Sequence, residues 1–223
     1  MFTKETISSS TLELLSNLMV DEKLSQFVLV GGTALALQIG HRISVDLDFF
    51  SQEDFNENKF SEYLQERYSF TEDFRDRCTL KGFIGDVKVD LITHRYPNVK
   101  PIVIVENIRM APLQDIAAMK MNAIHGNGTR VKDFTDIAFL SSKISLKEIL
   151  DTYTTKYPNT NEISAVKSLN YFDDINDNEK VQLLQGEFNL NVVKERILAM
   201  TQHPLDIFPE IDFSPKNKIR FRR

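Results

Sequence analysis

Residues 30–50 read VGGTALALQIGHRISVDLDFF, and the fold turns on how this stretch divides. Val30 closes a short apolar run, Phe27-Val28-Leu29-Val30, of the kind that forms a buried strand, and Gly31-Gly32 interrupts it. The Ala and Leu content of residues 33–39 favours a helix that Gly40 can end. Asp46-Leu47-Asp48-Phe49-Phe50 then resumes an extended pattern. Because a strand repeats every two residues, Asp46 and Asp48 share one face, where two carboxylates repel unless a positive charge intervenes. At the step from strand to helix, Gly31 and Gly32 let backbone amides approach an anion at the positive end of the helix, and Thr33 adds a hydroxyl donor. Taken singly, a glycine pair is an ordinary turn and an Asp-x-Asp an ordinary cap. In this order they describe an anion cradle followed by a cation site.

Working outward, Leu12, Leu15, Leu18 and Met19 recur at helical spacing and predict a helix over 10–23. An amphipathic helix follows over 56–68, with Phe60, Tyr63 and Leu64 on its inward stripe. Strand-like runs at 79–84 and 87–93 flank Gly85-Asp86, a hairpin signal, and 101–106 supplies another short strand. The second strand of that hairpin, VKVDLIT, carries Asp90, a third acid that a small sheet can bring beside the first two. From Pro112 the character changes to helix. Segments 112–124 and 131–140 are separated by His125-Gly126-Asn127-Gly128, and helical patterns continue at 147–153, 162–169 and 192–200. The expected architecture is α+β: a mixed sheet with flanking helices over residues 1–105, then a helical portion with an extended basic tail over 106–223.

Composition narrows the chemistry. The 223 residues are 42% hydrophobic and 26% charged, with a formal net charge of −5, which argues against a surface that binds nucleic acid throughout. A local patch remains available in Lys216, Lys218, Arg220, Arg222 and Arg223. No apolar run is long enough to span a membrane and the first residues lack a secretory pattern, so a cytoplasmic location is expected. Cys78 stands alone, which excludes an intrachain disulfide framework, and without Cys or His clusters any metal is expected to be held by oxygens, as magnesium or manganese are. Neither GKT/GKS nor GxGxxG occurs.

Lys120 interrupts an apolar helical stretch, IAAMKMNAI, where it either serves a site or snorkels to solvent. Asp133 and Asp136 lie three apart on one helical side and could orient Lys120 or Lys132. Arg42 has acids nearby in Asp46 and Asp48 with which to pair.

The stretch GGTALALQIGHRISVDLDFF, the later VDLI, and LQDIAAMKMNAIHGNGTRVKDFTDIAFL together resemble the nucleotidyltransferase-like toxins of the AbiEii/AbiGii type, within the polymerase-beta-like nucleotidyltransferase superfamily. The resemblance spans residues 27–140. Thirteen residues separate Gly32 from Asp46, longer than the compact superfamily spacing and similar to the toxin branch. It implies that Gly31, Gly32 and Thr33 contact a triphosphate, that Asp46, Asp48 and Asp90 bind magnesium, and that Lys120 reaches the nucleotide phosphates. Lys132, Asp133 and Asp136 match a further charged motif, which adds Lys132 to the nucleotide contacts, while Arg42 and Ser44 belong to the signature as supporting residues. The implied activity is metal-dependent transfer of NMP from an NTP to a hydroxyl on RNA, with tRNA foremost, or on protein. Also implied are a toxin role in a toxin–antitoxin or phage-defence system and a cognate antitoxin. Two alternatives stand beside it: a non-catalytic nucleotide-binding regulatory module and an NTP-dependent phosphotransferase.

Overall fold

A computed structural model describes residues 2–176 and 178–213; the basic tail from Lys216 to Arg223 lies outside them. Among the described residues, seven strands form one mixed sheet: β1 (Val28–Val30), β2 (Leu47–Ser51), β3 (Thr71–Asp76), β4 (Thr79–Ile84), β5 (Val87–Thr93), β6 (Val103–Val105) and β7 (Ile108–Met110). Their spatial order is β3-β4-β5-β2-β1-β7-β6. β2 pairs antiparallel with β1 and parallel with β5, β7 joins β1 in parallel, and the remaining neighbours are antiparallel hairpins.

Helices α1 (Ser9–Val20), α2 (Gly31–Ile39) and α3 (Glu57–Tyr68) belong to the sheet-forming half. Polar caps begin two of them: Ser8 accepts from the Thr11 amide and Asn56 from that of Lys59. α2 starts without a side-chain cap on Val30 and ends at Gly40, whose φ of 67° gives the left-handed turn. A second layer follows: α4 (Leu113–Gly126), α5 (Val131–Leu140), α6 (Leu146–Lys156), α7 (Glu162–Leu169) and α8 (Leu190–Gln202).

The period of two in β2 separates two environments. Leu47, Phe49 and Ser51 are buried, Leu47 and Phe49 joining Val89 and Leu91 of β5 in the apolar core. Phe27, Phe55 and Phe60 pack edge to face beside them, with ring centroids 5.3–5.6 Å apart. Asp48 and Phe50 point to the opposite face, where residues of α4 complete a cleft.

Two strands depart from the expected element list. β3, TEDFRD, is exposed at every position and is a strand because it pairs with β4. β7 has three residues, held where Arg109 donates to the carbonyls of Phe27, Met19 and Leu24.

Candidate active site

The sheet brings the three expected acids to one place. Asp48 lies directly opposite Asp90 in the parallel pairing of β2 and β5, and opposite Val30 on its other side. Asp46 precedes the strand by one residue and shares the side of Asp48. Between β1 and Asp48, Gly31 opens α2 with φ of 69°, and a Cβ built there would stand 2.6 Å from Asp48 Oδ2. A side chain at this position would therefore displace the carboxylate, besides straining the backbone.

The cluster of carboxylates is electrostatically unfavourable on its own. Burial, then the charges of Asp90 and Asp46, push the Asp48 carboxyl above its ordinary value, against the pull of Lys120 and Lys88. Asp90 is 4% exposed. Its Oδ2 lies 3.4 Å from Lys88 Nζ and 3.6 Å from Lys81 Nζ, and its Oδ1 finds no hydrogen-bond partner among the described residues. Nor, among the described residues, do three such side chains converge tightly enough to form a ready coordination shell. Register aligns Asp48 with Asp90, Asp46 lines the same cleft from the residue before β2, and Asp90 leans on two lysines. An unpartnered carboxylate oxygen and a raised neighbouring carboxyl are both relieved by a divalent cation, so the donor set fits one.

Behind the cleft is a buried ionic network. Asp136 Oδ1 and Oδ2 accept from Arg42 Nε and Nη2 at 2.7 and 3.0 Å. Lys120 Nζ lies 2.9 Å from Asp136 Oδ2 and donates to Asp133 Oδ1 at 2.6 Å. His41 Nε2 is 2.8 Å from Asp136 Oδ1. Burial opposes the charge on Asp136, but Arg42, Lys120 and the hydrogen bonds hold its carboxyl well below the ordinary value. Burial likewise opposes the Lys120 ammonium, and Asp136 and Asp133 override it, raising its pKa. His41 shifts down, since burial outweighs its hydrogen bond to Asp136.

Arg42 therefore pairs with Asp136 and not with Asp46 or Asp48, as its position in sequence suggests. Its guanidinium lies over Gly32, where a Cβ would overlap Nη2. Lys120 does not snorkel: it is 7% exposed and bound by two carboxylates, at the cleft wall. Asp133 and Asp136 orient Lys120, whereas Lys132 pairs with Glu179 at 2.9 Å. The Thr33 side chain is buried, its hydroxyl bonding the Asp46 carbonyl and lying 2.8 Å from Ser44 Oγ. Thr33 and Ser44 thus tie down the loop that presents Asp46.

The cleft has a volume of about 590 Å³ and contains every one of these acids except Asp136, a size typical of small-molecule sites. Several of its residues escaped the sequence reading. Lys81 and Lys88 flank Asp90, and the lining also includes Arg130, Lys180 and Gln182. The last two arrive on a C-terminal segment that pairs with residues 41–43: the Ile43 amide donates to Gln182 O at 2.8 Å and the Leu184 amide to His41 O at 3.1 Å.

Residues 13–100 match the family model described as nucleotidyl transferase AbiEii toxin, type IV TA system. Over 162 residues the chain is 34% identical to aq_aa25, an uncharacterized protein of Aquifex aeolicus (strain VF5), an overlap covering 67% of this chain and 75% of that protein. The crystal structure of JHP933 from Helicobacter pylori has the same fold, with a TM-score of 0.51 and 19% identity over 88% of this chain and 92% of that one.

Proposed function

The chain belongs to the AbiEii family of nucleotidyl transferase toxins, and on that basis we propose that it transfers NMP from an NTP to a hydroxyl on RNA, tRNA foremost, releasing pyrophosphate. The observation that carries this reading is the register of β2 and β5: Asp48 faces Asp90 beside the uncapped start of α2. Carboxylates and free helical amides meet there, as a triphosphate and its counter-ion require.

In this mechanism the amides of Gly31, Gly32 and Thr33 receive the β- and γ-phosphates. Lys120 donates a hydrogen bond to Asp133 and pairs with Asp136, which holds its ammonium at the cleft wall with its charge toward the phosphates; Lys132 adds to the field. The acceptor O–H attacks the α-phosphorus, forming a new O–P bond as the α–β bridge breaks, and its proton passes to Asp90, whose Oδ1 has no partner. A divalent cation, Mg2+ or Mn2+, held by Asp46, Asp48 and Asp90 would neutralise phosphate charge and polarise the α-phosphate. Arg42, Asp136, Thr33 and Ser44 are positioning residues: they fix the glycine turn and the Asp46 loop.

Family membership also supports a toxin role countered by an antitoxin. Among the described residues no helix is long and apolar enough to cross a membrane.

The test is incubation with magnesium, NTPs labelled at the α- or γ-phosphate, and separate RNA and protein pools. Label from the α-phosphate entering RNA is expected. Entry only into protein would reject RNA as the acceptor, γ-label transfer would make the protein a phosphotransferase, and NTP binding with no transfer to either pool would favour the regulatory module.

A further inference from the structure

The catalytic cleft opens into a second cavity of about 270 Å³, and the two share Val30, Phe50 and Met119. Both lie on the Asp48 face of the sheet. β2 runs from Asp48 through Phe50 toward Gln52, so at about 3.3 Å per residue the second cavity begins roughly one nucleoside's length from the carboxylates.

Its lining suits a flat heteroaromatic group. The Phe50 and His94 rings stack at 4.8 Å with an interplanar angle of 19°. Tyr96 stands 5.1 Å from His94 and is 44% exposed. Burial, and then the Lys156 charge, depress His94 to about 4, so the ring is neutral at pH 7. Gln26, also in the lining, buries its Nε2 without a partner among the described residues. An unpaired buried amide donor is costly, and a rotation of the Gln26 side chain that brings it to an acceptor atom of a ligand in the cavity removes that cost.

The wall is also built rigidly. Lys156 Nζ donates to Asp115 Oδ1 at 2.8 Å and to Pro97 O at 3.0 Å. The same Asp115 carboxylate accepts the Val99 and Lys100 amides, each at 3.0 Å. Asp115 is 0% and Lys156 1% exposed. Breaking a fully buried ion pair is expensive, and building one brings little net stability. Here the pair holds in place the loop that carries Tyr96 and Asn98 into the cavity.

We infer that this second cavity receives the nucleobase of the incoming NTP, with Tyr96 and the Phe50–His94 pair as stacking surface and the Gln26 amide as hydrogen-bonding reader. This rests on the NTP reading of the catalytic cleft. Val30 pairs with Asp48 and Val28 with Phe50, so the glycine turn and the cavity lie on opposite sides of Asp48, and an NTP whose triphosphate reaches Gly31 can carry its nucleoside toward Phe50. Binding measured without acceptor separates this from the acceptor, which attacks in line with the leaving pyrophosphate.

The test is calorimetric binding, with Mg2+ and without acceptor, of four NTP analogues with non-cleavable α–β bonds and of inorganic tripolyphosphate. Tyr96→Ala is expected to weaken the analogues about 5- to 150-fold, the range for loss of one base–aromatic stack, while tripolyphosphate binds as to wild type. Gln26→Leu is expected to narrow the differences among the four analogues. Equal weakening of analogues and tripolyphosphate would mean general damage to the cleft and would overturn the inference. So would unchanged analogue binding combined with a raised KM for the acceptor, which would assign the cavity to the acceptor. If the wild-type protein bound neither analogue nor tripolyphosphate, the NTP reading itself would fail, and this one with it.

Discussion

Asp136→Asn isolates the network behind the cleft. The side chain keeps its shape, but one carboxylate oxygen becomes an NH2 group facing donors, and the counter-charge for three neighbours disappears. Arg42 loses a two-pronged pair at 2.7 and 3.0 Å and retains the Ile43 carbonyl at 3.1 Å. Lys120 is less exposed to the change because Asp133 remains at 2.6 Å. Removing one member of a buried ion pair costs about 3–5 kcal/mol, a fifth or more of a typical total stability of about 5–15 kcal/mol. Urea unfolding at pH 7 should show that loss. For comparison, Glu179→Gln breaks the part-exposed pair with Lys132 and should cost no more than about 1 kcal/mol. Acid supplies a second check. The folded-state pKa of Asp136 is well below the ordinary 3.8, so its contribution is present above the unfolded value and lost as pH falls through the folded one; the gap between wild type and variant should close only in strong acid. A loss below about 1 kcal/mol at pH 7 would refute the view that Asp136 anchors Arg42 and Lys120.

Asp48→Asn should nearly abolish transfer yet raise the urea midpoint. The folded pKa of Asp48 lies above its unfolded value, so its ionised form opposes folding at neutral pH; a lowered midpoint would count against the repulsion described. Gly31→Ala imposes a left-handed residue costing about 1–2 kcal/mol and pushes on Asp48. A fall in kcat of about 10²-fold, the scale of a 1 Å misplacement, should accompany it, and an unchanged kcat would show that the carboxylate tolerates displacement. His94 should confer an acid-side loss of stability. Its folded pKa is about 4 against 6.5, so stability present above about 6.5 declines toward pH 4, by roughly 1–2 kcal/mol once partial solvent exposure is discounted. His94→Phe keeps a ring and should remove that slope in pH-dependent unfolding.

Local signals were readable wherever burial and turn chemistry agreed. Gly85-Asp86 set the β4–β5 hairpin to the residue, and the count outward from that turn puts Lys81 opposite Asp90. β3 carried no signal because none of its side chains is buried; its extended state comes from hydrogen bonds to β4. The carboxylates and glycines were legible because their spacing encodes their geometry. Partner choice was not: Arg42 has two acids within six residues and takes a third, 94 positions away, since the first two face the cleft and Asp136 is enclosed behind it. Lys120 was ambiguous for the same reason, as an apolar helix face with one lysine looks alike whether the far end meets water or two buried aspartates.

The pairing of residues 41–43 with the C-terminal segment has a bearing on biosynthesis. Chains emerge from the ribosome N-terminus first, at about 5–20 residues per second, so the roughly 140 residues between Arg42 and Gln182 take roughly 7–28 s to add. During that interval the aspartates of β2 and β5 have been made, but Arg42 waits for Asp136, and the cleft lacks the wall that Lys180 and Gln182 supply. A nascent chain thus carries Asp46, Asp48 and Asp90 before Asp136, Lys180 and Gln182 exist to complete the walls around them.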